Sequence, residues 1–175
     1  FHTGSVFLIY IIFQTLFSKR MALFAAAIFA VHPAISEAVV WISGGMYAQY
    51  TFFFLLSFVL YVFSKNRRKY YFFSIISFLL AFMSHPQMPL SLFLIFPLFE
   101  LAFGNLKQNW TKTIPFLILS IIYVFISLSG IPERETTLKS MHYQEGGVDN
   151  IFLIVTTALS SYFELIFFPK TLTLY

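Results

Sequence analysis

Apolar residues run along this chain in long blocks separated by short polar stretches. The blocks cover residues 6–17, 21–31, 46–63, 70–83, 90–103, 114–128 and 151–168. They are continuous rather than amphipathic stripes, the pattern of helices solvated by lipid or by one another. The spacing therefore predicts an all-α membrane protein, a polytopic bundle of about seven transmembrane helices. Crossing roughly 30 Å of hydrocarbon takes about 20 residues. Several blocks reach that length only with their flanking Ser, Thr and Tyr. The shortest, 21–31, also fits a buried half-helix.

The basic residues test this count independently. Lys19 and Arg20 follow the first block, Lys65, Arg67, Arg68 and Lys69 the third, Lys107 and Lys112 the fifth, and Lys170 the seventh. Nine of the eleven Lys and Arg residues thus follow odd-numbered blocks. Cytoplasmic loops carry such an excess, so these loops are expected inside and the loops after even-numbered blocks outside. His2, His32, His85 and His142 then all fall on the outer side. The longest hydrophilic stretch, 129–150, becomes an outer loop.

Composition agrees. Apolar residues make up 59% of the chain and charged residues 10%, where a soluble domain carries roughly a quarter charged. The net charge of +4 would suggest nucleic acid were it clustered, but it is spread through short loops between apolar blocks. The absence of cysteine removes disulfides, thiolate metal sites and cysteine nucleophiles. Both ends of the chain cut into apolar sequence, and residues 1–175 are read as part of one transmembrane domain with both ends truncated.

Two polar clusters stand on the outer side. The first spans residues 32–45, His-Pro-Ala-Ile-Ser-Glu-Ala-Val-Val-Trp-Ile-Ser-Gly-Gly. Proline suits the first position of a helix, because its missing N–H has no intrahelical partner there. A short interfacial helix is therefore expected to start at Pro33, with Glu37 and Trp41 sharing a face. Either this segment lines a polar pocket, or His32 caps the helix, Trp41 anchors at the interface and Glu37 is solvated. The second cluster is 84–89, with His85 followed by Pro86. Two His-Pro pairs at one membrane face could join a single pocket, since imidazole can donate to a phosphate. Metal binding by His32, Glu37 and His85 has no ligand spacing to support it, and no cofactor is implied.

Inside the blocks, Glu100 and Glu164 fall near expected cytoplasmic helix ends. Acids at such depth are functional candidates, but Lys107 and Lys170 offer each an ion pair at the interface. Pro97 is expected to kink the fifth helix, and Pro115 to sit near the start of the sixth. Arg134 and Lys139 are the outer basic residues, within reach of an anionic headgroup or of Glu133 and Glu135.

The run His32-Pro33-x-x-x-Glu37-Ala38-Val39-x-Trp41-Ile42-Ser43-Gly44, followed by a span ending in Leu60-Tyr61, resembles the transmembrane and tetratricopeptide-repeat-containing glycosyltransferase-like proteins. That family includes animal protein O-mannosyltransferases and bacterial relatives within the GT-C superfamily. Phe1-His2, Ser84-x-Pro86, Glu100-Leu101, and Tyr162 with Pro169, Leu172 and Tyr175 fall in the family's order. The chain departs from the pattern where relatives carry Arg and then Asp after the Gly44 position, having Gly45 and Tyr47, and where they carry Lys after the serine of the second cluster, having His85.

The resemblance implies a GT-C-like fold and a membrane glycosyltransferase. Such an enzyme moves a mannose-like sugar from a polyprenyl-phosphate donor onto an acceptor, in this family a protein, at the non-cytoplasmic face. It further implies His32, Glu37 and His85 as donor-pocket residues, Arg134 and Lys139 as phosphate contacts, and a catalytic acid upstream of Phe1. Localisation would be the plasma membrane of a prokaryote or the endoplasmic reticulum of a eukaryote. Without the Arg at position 45 the chain loses a bidentate phosphate grip. That loss keeps open the alternative of a non-catalytic module that binds lipid carriers or anchors a soluble repeat domain. A secondary transporter would place ionisable groups at mid-membrane in two related halves, which this chain does not.

Overall fold

Seven α-helices and two short 3-10 turns make up the described part of the chain, a computed structural model covering residues 1–35, 44–65, 67–84, 90–129 and 151–167. The helices are α1 (His2–Leu16), α2 (Lys19–Val31), α3 (Gly45–Phe63), α4 (Arg68–Ser84), α5 (Ile95–Phe103), α6 (Leu106–Ser129) and α7 (Ile151–Phe167), with 3-10 turns at Pro33–Ile35 and Leu90–Leu94. Each apolar block has become one helix, and no strand occurs among the described residues. Boundaries follow local chemistry. Ser18 caps α2 by accepting from Met21 N at 3.4 Å. Asn105 accepts from Gln108 N at 3.4 Å and starts α6. His32 is extended, with ψ of 125°, as the residue before a proline must be.

Length separates these helices. α3 and the 106–127 part of α6 are long and apolar enough to cross a membrane, while α1, the 92–103 segment and the 155–167 segment are apolar but shorter. At 1.5 Å per residue, the 15 residues of α1 span about 22 Å, short of the roughly 30 Å core.

α3 and α4 form the central antiparallel pair, with α1 packed on α3, α2 on α1, and α5 and α6 against the other side. Between lipid-solvated helices burial of apolar area brings little gain, so close packing and small residues decide the interface. At Gly4, a Cβ would come 2.6 Å from the Phe52 ring, so glycine lets α1 lie close on α3. Between α3 and α4, Ser57 Oγ donates to Ser74 O at 2.8 Å and Ser74 Oγ to Ser57 O at 2.7 Å. The core is aromatic: Phe54, Phe58 and Tyr61 of α3, Phe78 and Phe82 of α4, Phe96 and Phe99 of α5, and Phe116 of α6. The Phe96 and Phe116 rings stack at 3.8 Å. Most other large apolar side chains face outward, including Phe24, Phe72 and Phe125.

The two prolines exchange the roles expected of them. Pro97 lies in the first turn of α5, just after the 3-10 turn, where a missing N–H removes nothing. Pro115 lies well inside α6. In the turn before it, Tyr71 Oη donates to Lys112 O at 3.0 Å and Thr113 Oγ1 to Trp110 O at 2.7 Å.

Candidate functional site

The two ends of the bundle differ in chemistry. At one end, Phe17 packs edge-on against Phe103 at 5.5 Å, and Lys65 Nζ donates to Phe103 O at 3.4 Å. This gathers the α1–α2, α3–α4 and α5–α6 connections and their basic residues. At the other end lie the start of α1 and the end of α2, joined where His2 Nε2 sits 3.3 Å from Ala30 O and its ring stacks on Phe29.

His32 closes this second end. Its Nδ1 accepts from Ala34 N at 3.2 Å, and its Nε2 lies 3.0 Å from Ile166 O. A carbonyl can only accept, so the contact with Ile166 places a ring proton on Nε2. Accepting from Ala34 N–H, the first the turn offers because Pro33 has none, is a capping role. The expected helix start at Pro33 is present as the 3-10 turn Pro33–Ile35.

The contact with Ile166 overturns one expectation. Alternation puts the end of the seventh helix with the basic loops, yet α7 ends beside His32, at the histidine end. Glu164, two residues earlier and exposed, therefore belongs to the histidine end and not the basic one. The charge rule counts crossings and has no term for a helix that reaches neither loop set by crossing.

Beneath His32 runs an apolar groove of about 410 Å³, lined by Ile9 and Phe13 of α1, Ala25, Ile28 and Phe29 of α2, then Ala34, Ile35 and Ile166. His32 is the polar side chain of that lining among the described residues. Such a groove suits a hydrocarbon chain, with one imidazole at its rim. That imidazole already holds two partners, so it can donate to an incoming anion only by releasing Ile166 O.

Of the other residues singled out in the sequence, Glu37, His85, Arg134 and Lys139 lie outside the described residues. Gly45 opens α3, and a Cβ there would meet nothing within 4 Å. Tyr47, two residues on, is exposed.

A second polar site stands at the basic end, inside the bundle. Glu100 is 2% exposed. Tyr61 Oη donates to its Oε1 at 3.1 Å, while Asn109 Nδ2 at 2.9 Å and Asn105 N at 3.2 Å donate to its Oε2. A Cβ at Gly104 would collide with this carboxylate. The expected ion pair with Lys107 is replaced by three donors, because the α5–α6 turn folds back over Glu100 and delivers Asn105 and Asn109 to it. Sequence reasoning flagged Glu100, and named Tyr61 without its contact to that acid, but missed Gly104 and Asn109. The spacing of a glycine four residues and an asparagine nine residues after an acid was the available signal.

A model of the dolichyl-phosphate-mannose-protein mannosyltransferase family matches residues 2–129. No curated protein and no solved structure matches the chain. The family match covers well over half of the chain, which belongs to that family and is a membrane protein.

Proposed function

We propose that this mannosyltransferase-family chain forms the lipid-donor half of a GT-C glycosyltransferase. In this reading it transfers a mannose-like sugar from a polyprenyl-phosphate carrier to a protein acceptor at the non-cytoplasmic face. The family match over residues 2–129 carries the reading. The groove supports it: an isoprenoid tail fits an apolar channel between α1 and α2, with the carrier phosphate at the histidine end. The narrower likeness, to the tetratricopeptide-repeat-containing branch, rests on the motif from His32 to Gly44.

In the proposed reaction the acceptor hydroxyl attacks the anomeric carbon, the bond to the carrier phosphate breaks with inversion, and a general base takes the hydroxyl proton. No residue of this chain is assigned as that base. His32, with Glu37 and His85, is assigned to the donor pocket, and Arg134 and Lys139 to the phosphate.

The test is transfer by the full-length protein in proteoliposomes, with a radiolabelled polyprenyl-phosphate mannose and a Ser/Thr-rich peptide. Label on the peptide is the expected result. Transfer from a soluble nucleotide sugar with no transfer from the lipid-linked donor would overturn the reading.

A further inference from the structure

Eight basic residues gather at the end of the bundle opposite His32. They are Lys19, Arg20, Lys65, Arg67, Arg68, Lys69, Lys107 and Lys112, and every one is exposed. The contacts of Phe17 with Phe103, of Lys65 with Phe103 O and of Tyr71 with Lys112 O draw their three connections together.

Such a cluster is ordinarily offset by nearby acids, and among the described residues it is not. Glu100, the acid closest in sequence to Lys107, is turned inward and takes its hydrogen bonds from Tyr61, Asn105 and Asn109. Glu164 lies on α7, which ends beside His32. Among the described residues no other carboxylate exists, so none of them offsets the positive charge of this end. Lys65 is further held in place, 4.7 Å above the Phe99 ring.

The surroundings identify the partner. The cluster borders exposed apolar side chains, with Trp110 56% exposed, Phe17 51% and Phe103 46%. An exposed Trp beside apolar helix ends marks the headgroup level of a bilayer. Nucleic acid or an acidic protein would need a wet basic face, and this face is rimmed by groups that seek lipid.

We propose that this basic end is a docking surface for the phosphate headgroups of anionic phospholipids, with Arg67, Arg68 and Lys69 as its principal contacts. The Glu100 network maintains the surface by withholding the carboxylate that would neutralise it. The inference does not depend on the sugar-transfer reading, because it concerns the opposite end of the bundle.

The experiment uses the purified full-length protein in detergent, offered equimolar phosphatidylglycerol and phosphatidylcholine with matched acyl chains, and reads bound lipid by native mass spectrometry. The parent protein should retain phosphatidylglycerol at least about tenfold over phosphatidylcholine, given roughly fivefold per basic residue at an anionic surface. The Arg67→Gln, Arg68→Gln, Lys69→Gln triple variant should lose that preference, and the Arg67→Lys, Arg68→Lys variant should keep it. Should the triple variant fail to fold, raising salt to about 1 M on the parent, where the screening length is about 3 Å, should abolish the preference instead. Equal retention of the two lipids by the parent, or an unchanged preference in a folded triple variant, would overturn the proposal. So would displacement of phosphatidylglycerol by millimolar glycerol phosphate, which would identify a soluble phosphate as the ligand.

Discussion

The Tyr61 hydroxyl donates a 3.1 Å hydrogen bond to Glu100 Oε1, tying α3 to α5 across 39 positions of sequence. Both residues lie within the stretch that the mannosyltransferase family model matches. Their meeting explains why an acid is tolerated at 2% exposure: three donors satisfy it, and no buried polar side-chain atom among the described residues lacks a partner.

Removing that acid should cost more than removing one of its donors. Glu100→Ala leaves the buried Tyr61 hydroxyl without its acceptor, at about 1–3 kcal/mol, and also removes the acceptor of the less buried Asn109 side chain and Asn105 N–H. Tyr61→Phe removes one donor and should cost roughly 1 kcal/mol. Thermal unfolding in detergent checks the order; equal losses would contradict it.

Gly104→Ala should destabilise the protein markedly, because the added Cβ collides with the Glu100 carboxylate. The double variant Gly104→Ala, Glu100→Ala should lose less than the sum of the two single changes, since the obstacle is gone. Additive losses in the same melts would show that the two positions do not interact.

Ser57 and Ser74 exchange hydrogen bonds with each other's carbonyls, both at 0% exposure. Ser57→Ala should cost about 0.6 kcal/mol, typical of polar contacts between membrane helices. Ser57→Leu should cost about 1–3 kcal/mol, because a packed interface has no room for it. Unfolding titrations in mixed micelles distinguish the two.

The groove reading makes a kinetic prediction. Ala25→Phe fills part of the apolar channel and should raise the KM for the lipid-linked donor by about tenfold, on the order of 1.4 kcal/mol of lost binding, with the KM for the peptide unchanged. Gly45→Arg, entering open space, should leave stability within about 1 kcal/mol of the parent. An unchanged donor KM for Ala25→Phe would remove the tail from this channel.

The position of α7 is open to cysteine labelling, since the chain contains no cysteine of its own. Glu164→Cys should react from the same side of the membrane as His2→Cys, and Arg67→Cys from the opposite side. Labelling of position 164 together with position 67 would restore simple alternation and reject the contact between His32 and Ile166.

Helix number was legible because it depends on local composition. Each apolar run had no alternative to a helix, since backbone groups in lipid must bond within their own segment. Pro33 then marked the start of a turn, whereas α6 begins at Leu106, eight residues before its apolar block, and holds Pro115 inside. His32 was legible as a candidate, but its two partners were not, because Ile166 lies 134 positions away. The ion pair expected of Glu100 failed for a related reason: proximity in sequence to Lys107 says nothing of which way a turn folds.

By itself, the sequence determined that this is a helical membrane protein with its positive charge gathered between apolar blocks, because hydropathy and charge act residue by residue. The tertiary structure alone decided which side chains meet. It placed the groove under His32, the donors around Glu100 and the end of α7 at the histidine face. Those outcomes depend on helix-to-helix packing, where a glycine at position 4 or 104 sets how closely two segments approach.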